Sequence, residues 1–198
     1  MQKYISSVKH HRSIATLVTH FPYYSATVRL FKLWLDSQMI LSHIPEEAIE
    51  LIVLQPFIDP APYGVPGSVM AGFLRVLRFL ANWNWKEDPL ILDLSREFNS
   101  KYREEKDSYV DKISDKIDLH TYQSMNKSFA KLREHDPQGV KVPYFIGTKE
   151  DISGKTWTQG ISLVIASRLT SLSRVALDVL TRDDKNYEIK DSLLKLIF

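Results

Sequence analysis

Apolar residues recur at helical spacing in several stretches of this chain, and their faces set the expected architecture. In "SATVRLFKLWLDSQMI" (25–40), Val28, Phe31, Leu35 and Met39 fall on one face, widened by Leu30 and Trp34, and Ser25 is placed to cap the start. Arg29, Lys32 and Asp36 fall on another face, with Lys32 and Asp36 at the i,i+4 spacing of an ion pair. "IPEEAIELIVL" opens a second helix, with Pro45 in its first turn and Glu46 and Glu47 at its positive end. Pro56 is expected to end it. "DPAPYGVPGS" then reads as an irregular connection rich in Pro and Gly. A third helix through "SVMAGFLRVLRFLANWNW" turns Val69, Phe73, Val76, Leu77 and Leu80 inward and leaves Arg75, Arg78 and Asn82 on another side.

Further along, the pattern alternates between short extended pieces and helices. "LILDL" predicts a short strand. Residues 95–118 carry mixed charge with few apolar positions, which predicts an exposed excursion. From Asp118 a helix is expected, with Leu119, Tyr122, Met125, Phe129 and Leu132 on its inner face. "VPYFIGT" predicts a strand and "TWT" a return. Residues 158–180 predict a long helix whose apolar side is Ile161, Val164, Ile165, Leu172, Ala176 and Val179. The fold class expected is mainly α with a few short strands, in one domain over 1–198.

Composition narrows the class without naming a function. The chain of 198 residues is 44% hydrophobic and 25% charged, an ordinary globular balance. Such a length buries about 70% of the surface the unfolded chain exposes. With 26 basic and 24 acidic residues, the net charge of +2 does not mark a nucleic-acid binder, although a local basic face fits inside a balanced total. There is no cysteine, which excludes disulfides, thiolate metal sites and cysteine nucleophiles. No apolar run approaches the ~20 residues of a membrane span. The opening "MQKYISSVKHHRS" has no signal-peptide core, so secretion is not expected.

Candidate chemistry is sparse. "IGTKEDISGKTWT" contains Ser-Gly-Lys-Thr, the end of a phosphate-binding loop. The position five residues before Gly154 is Lys149 rather than glycine, so the backbone cradle is missing. A polar turn between two extended pieces is expected instead. The six histidines, His10, His11, His20, His43, His120 and His135, form no metal-ligand spacing; His43 with Glu46 and Glu47 is only a fragment of one. No G-x-S-x-G elbow exists. For RNA contact, the cluster that qualifies is Arg75 and Arg78 with Trp83 and Trp85, cations beside aromatics. The plainer reading of those four is a solvated helix face and ordinary core packing.

Three stretches carry a more specific signal. "RLFKLWLDSQMILS" resembles a helix of poly(A) polymerases and related nucleotidyltransferases. "GFLRVLRFLANWNWKEDPLIL" resembles their later helix and the W-x-W-P segment after it. "VPYFIGTKEDISGKTWTQGISLVIASRL" resembles their late strand, turn and helix. Within that superfamily the stretches "FPYYSATVRLFKLWLDSQMILSHIPEEAIELIV", "GFLRVLRFLANWNWKEDPLILDL" and "REHDP" followed by "PYFIGTKEDISGKTWT" are similar to the nucleolar RNA-associated protein family, Nrap, also called nucleolar protein six. The resemblance implies one of that family's later poly(A)-polymerase/oligoadenylate-synthetase-like helical domains, similar to a substrate-binding domain, within a larger multidomain protein. The apolar, uncapped ending "SLLKLIF" agrees with a fragment.

What the resemblance implies about function depends on departures as much as matches. Lys32 stands where the polymerases place a phosphate-contacting lysine. Leu41 replaces their base-contacting tyrosine, His43 their asparagine, and Ile44-Pro45-Glu46-Glu47 their Gly-Gly-Val turn. Glutamates there oppose a triphosphate, and no Asp-x-Asp metal pair is present, so no cofactor or metal is expected and Lys32 is expected in an ion pair with Asp36 or a neighbour. The implied role is a non-catalytic scaffold in the nucleolus. It would act in the small-subunit processome with ribosomal RNA processing protein seven, casein kinase two and neighbouring domains of the same chain, and with pre-ribosomal RNA nearby. Two rivals stay open: the nucleotide-binding half of an active nucleotidyltransferase, and a small stand-alone interaction module.

Overall fold

The computed structural model describes residues 14–94, residue 16 excepted, and 117–182. The charged stretch 95–116, the pair His10-His11 and the ending "SLLKLIF" lie outside the described residues. Among the described residues the framework is five α-helices and one two-stranded parallel pairing, the mainly helical class expected.

Helix α1 (Tyr24–Ser37) buries Tyr24, Thr27, Val28, Phe31, Trp34 and Leu35. Its start is not capped by Ser25. Tyr23 is the N-cap and makes no side-chain bond, and the chain is already turning after Phe21, where the Tyr24 N–H reaches the Phe21 carbonyl at 3.0 Å. Its end also differs from expectation. Met39 leaves the inner face altogether, taking φ +56 with 82% exposure. The Ile40 N–H reaches back to the Leu35 carbonyl and the Met39 N–H to Asp36, a left-handed helix stop usually given to glycine. Ile40, not Met39, is the residue buried there.

Helix α2 (Glu46–Ile58) has buried residues nearly all round: Ala48, Ile49, Leu51 to Leu54 and Pro56 to Ile58. Pro56 does not end it. An interior proline costs about 3 kcal/mol, while burial of Phe57 and Ile58 contributes about 1.5–3 kcal/mol each, so the last turn holds. Helix α3 (Val69–Asn82) starts at Ser68, whose hydroxyl accepts from the Ala71 N–H; Phe73, Val76, Leu77 and Leu80 face inward as expected, whereas Val69 in the first turn is only partly buried. These three helices pack on one another. The closest approach is at Gly72, where an added Cβ would lie 2.5 Å from Thr27 Oγ1 and 3.1 Å from Phe57.

Strand β1 (Leu90–Ile91) pairs in parallel with β2 (Ile146–Gly147), Leu90 opposite Ile146. "TWT" does not form a return strand. The Ile146 N–H bonds instead to the Gly154 carbonyl at 3.0 Å. Asp151 ties the intervening loop, accepting from the Ser153 N–H and hydroxyl and from the Thr156 N–H at 2.7 Å. Gly154, at φ +64, sits flat on Phe145, so the Ser-Gly-Lys-Thr motif is the polar turn expected.

Helix α4 (Leu119–His135) is capped by Asp118, which accepts from the Thr121 N–H. It packs through Met125, Phe129 and Leu132 onto Phe145 in a second small cluster. Leu119 and Tyr122 do not join its inner face; they are 72% and 48% exposed and line an open hollow with Ile91, Asp93 and Ile117. At its other end Arg133 donates to the carbonyls of Lys86, Val142, Trp85 and Pro143 at 2.6–2.9 Å. Asp136 accepts from the N–H groups of Val140, Lys141 and Val142.

Helix α5 (Leu163–Arg182) lies on α3. Its buried line is Ala166, Leu169, Thr170, Ser173, Ala176 and Leu180, with Ile161 buried just before it, so Ile161 and Ala176 are placed as expected and the rest of the expected face is displaced. Val164 and Val175 are 72% and 61% exposed. Val179 is exposed too, and Ile165 and Leu172 are only partly buried. Small side chains let the two helices approach, and polar bonds fix their register: Arg174 Nε to the Ala81 carbonyl at 2.9 Å and Trp85 Nε1 to Thr170 Oγ1 at 3.3 Å.

Candidate functional site

Two places on this framework carry unusual chemistry, one at each end of α2. At its N-terminal end, Lys32 projects from α1 and its Nζ is hydrogen-bonded and ion-paired to Glu46 Oε1. The partner is the glutamate of the Ile44-Pro45-Glu46-Glu47 turn, not Asp36 one helical turn along. The local sequence accounts for this. Leu41–His43 forms a single 3₁₀ turn against α1, Ile44 is buried, and Pro45 starts α2 with Glu46 and Glu47 in its first turn. Their carboxylates sit at the positive end of the α2 dipole. The side chains of Lys32 and Glu46 keep 26% and 67% of their surface in solvent, so the pair contributes at most about 1 kcal/mol. Its chemical meaning is larger than its energy. A phosphate approaching Lys32 has to displace a carboxylate that is held in place by the helix start. Leu41 is half buried against the core and His43 is exposed, so neither forms the wall of a base pocket.

At the C-terminal end of α2, a cleft of about 400 Å³ opens between α2, the connection after it and α3. Glu46 and Gln55 are separated by nine residues, about 13 Å along the helix axis, so the two places are distinct. The connection is held by α3: Arg75 donates to the carbonyls of Gly64 and Tyr63. The Tyr63 N–H bonds to the Pro60 carbonyl at 2.9 Å. The guanidinium carbons of Arg75 and Arg78 lie 5.5 and 5.1 Å from the centre of the Tyr63 ring. Phe79 lines the cleft and stacks on Trp83, with ring centres 5.2 Å apart. Asn82 donates to the Arg78 carbonyl.

Of the four residues nominated from the sequence, three meet here. Arg75, Arg78 and Trp83 line the cleft. Trp83 does so from beneath, 8% exposed, with its indole N–H given to the Asp88 carbonyl and its ring on Tyr144. Trp85 is elsewhere, buried against Tyr144 and bonded to Thr170. Burial drives the ionisation of Tyr144 upward, so its hydroxyl stays protonated and donates to the Ala166 carbonyl. Sequence reasoning missed Tyr63, which is 61% exposed and completes the cationic–aromatic cluster. An aromatic inside the Pro- and Gly-rich "APYGVPG", close before an Arg-x-x-Arg spacing, is the signal that would have found it. Among the described residues no group of three His, Asp or Glu side chains stands close enough to hold a metal ion.

The five helices and the parallel strand pair, whose first strand follows the W-x-W segment, fit a poly(A)-polymerase/oligoadenylate-synthetase-like helical domain. Comparison with known families gives the same class and narrows it: residues 21–197 match the family described as "Nrap protein PAP/OAS1-like domain 5". The chain belongs to the Nrap family. It is 42% identical over 196 residues to U3 small nucleolar RNA-associated protein 22 of Saccharomyces cerevisiae, covering 94% of this chain and 16% of that protein. The protein of the same name in Schizosaccharomyces pombe is 29% identical, over 83% of this chain and 13% of its own length. Nucleolar protein 6 of Mus musculus is 28% identical, over 84% and 12%. The chain thus spans less than a fifth of the relatives it matches. These relatives carry nucleolar names, the setting that the resemblance implied, and none of the names is that of an enzyme.

Proposed function

We propose that this domain is a non-catalytic scaffold element of a nucleolar ribosome-biogenesis factor acting in the small-subunit processome. In this reading it supports pre-ribosomal RNA processing and assembly of the small subunit by holding partners and neighbouring domains in place. Ribosomal RNA processing protein seven and casein kinase two are the partners implied by the family resemblance. The observation that carries the reading is the Lys32–Glu46 pair: the one retained nucleotide-contacting position is engaged by a carboxylate from the turn that lies where polymerases present bare backbone. Kinship to proteins named for the U3 small nucleolar RNA and the nucleolus supports it.

The test is a titration of the folded chain with ATP and Mg²⁺, read by tryptophan fluorescence and by calorimetry. No saturable signal is expected at millimolar nucleotide, with or without Lys32→Ala. Saturable binding that disappears in Lys32→Ala would overturn the scaffold reading and favour a nucleotide-binding half of an active transferase.

A further inference from the structure

The cleft at the C-terminal end of α2 has features that a solvated helix face lacks. Its wall is preformed, because Arg75 and the Pro60 carbonyl fix the backbone that presents Tyr63. Its two cations are not equivalent. Arg75 is committed to backbone carbonyls, whereas no carboxylate or carbonyl among the described residues takes the guanidinium N–H groups of Arg78. Arg78 is therefore a fork of donors lying beside an exposed aromatic ring, a geometry suited to a phosphate oxygen next to a stacked planar group. The floor is aromatic, Phe79 on Trp83. The rim carries Gln55, Asn82 and the single acidic group Asp59, side chains able to exchange hydrogen bonds with the edge of a base. The volume of about 400 Å³ falls at the small-ligand end of binding clefts. Tyr63, Asp59 and Asn82 are exposed, so the cleft is open along one side, as a group tethered in a polymer requires.

We propose that this cleft binds one unpaired nucleotide of single-stranded RNA, with Tyr63 and Phe79 contacting the base and Arg78 the adjacent phosphate. The proposal rests on the reading that this domain works beside pre-ribosomal RNA. It replaces Trp85 in the nominated set with Tyr63. A stacked duplex does not fit, because its bases offer no free face to Tyr63. A phosphopeptide could use Arg78 but would leave the aromatic floor unused.

The experiment is fluorescence anisotropy of the intact chain with fluorescein-labelled ten-nucleotide RNAs of each base, at 50 and 200 mM salt. Saturable binding is expected, weakened about tenfold or more by Tyr63→Leu, retained by Tyr63→Phe, and weakened similarly by Arg78→Ala. Arg78→Ala should also flatten the salt dependence by about 0.7 in the slope of log K against log salt, the loss of one phosphate contact. Lys131→Ala, an exposed cation on α4, should leave affinity unchanged. Circular dichroism melts of each variant confirm that the fold is retained. Absence of binding, or binding indifferent to both Tyr63→Leu and Arg78→Ala, overturns the proposal. So does displacement of the RNA by duplex RNA or a phosphopeptide with equal potency, which would mark a general anion site. None of these outcomes touches the scaffold reading, whose failure shows only in the ATP titration.

Discussion

Gly72 seats α3 against α1, and filling that seat is the sharpest test of how the two helices meet. Replacing Gly72 with Ala has two opposed effects. In a helix interior the change adds about 1 kcal/mol of stability through lower unfolded-state entropy and better propensity. Against this, the new Cβ would lie 2.5 Å from Thr27 Oγ1 and 3.0 Å from Thr27 Cγ2. Thr27 is fully buried, and its hydroxyl is held by a 2.8 Å bond to the Tyr23 carbonyl, so it has no free rotamer to retreat into. Phe57, at 3.1 Å, closes the other side. Overpacking of this kind costs about 1–3 kcal/mol, and the absence of slack points to the upper end. The net expectation is destabilisation by about 1–2 kcal/mol. Thr27→Ala removes the two nearest atoms while leaving the Tyr23 carbonyl bonded to the residue 27 N–H. The double variant is therefore expected to be more stable than the sum of the two single changes by about 1–2 kcal/mol. Urea unfolding followed by tryptophan fluorescence measures all four proteins, and an unchanged m-value keeps the comparison two-state. A stabilising Gly72→Ala, or a cycle that closes additively within about 0.5 kcal/mol, would refute the close contact.

Two further predictions concern the polar supports around α4. Arg133→Met strips four backbone carbonyls of their shared donor and is expected to cost about 3 kcal/mol in urea unfolding; Arg133→Lys should recover little, since one ammonium cannot span the fork, and full recovery would sink the account. Burial alone would raise the pKa of the Asp136 carboxyl, but the N–H groups of Val142, Val140 and Lys141 and the charge of Arg133 outweigh it and hold the value below the usual carboxylate range. A depressed folded value means that this group stabilises the fold above its unfolded pKa of about 3.9 and that the contribution drains away as pH falls further. Acid titration of stability should be shallower in Asp136→Asn below about pH 4; an unchanged acid limb would show that the carboxylate carries no such linkage.

The sequence was most informative where burial follows large side chains. Phe31, Leu35, Phe73, Val76, Leu77 and Leu80 repeat at 3.6-residue spacing, and the helices they predict are there. It misled where small or polar groups make the contact. On α5 and just before it, Ala176 and Ile161 are buried as expected, but Val164 and Val179 drew the face away from Ala166, Thr170 and Ser173, the smaller and polar positions that close helix approach selects. Met39 was misplaced because a helix stop with positive φ leaves no periodic trace when the residue is not glycine. The candidate sites show the same division. Lys32 was visible as a match to a familiar pattern and the glutamate turn as a departure from it, but which glutamate answers the lysine depends on the 3₁₀ turn between them. Arg75 and Arg78 were readable as a pair; Tyr63 needed the folded-back connection to bring it over them.

The parallel pairing of β1 with β2 has a consequence for how this chain can change in length. Asp93 and Ile117 are adjacent in space: the Ile117 N–H reaches the Asp93 carboxylate at 3.4 Å. The two points are fixed by the strand pair on one side and by Asp118 at the head of α4 on the other. For a connection whose ends are already pinned together, doubling the number of residues adds only about 0.6 kcal/mol of closure entropy. The described ends thus act as an expansion joint: they hold their positions relative to each other whatever length of chain joins them. Nothing in the α1–α2–α3 core, the glutamate-bound lysine or the Tyr63 cleft has to move to accommodate it.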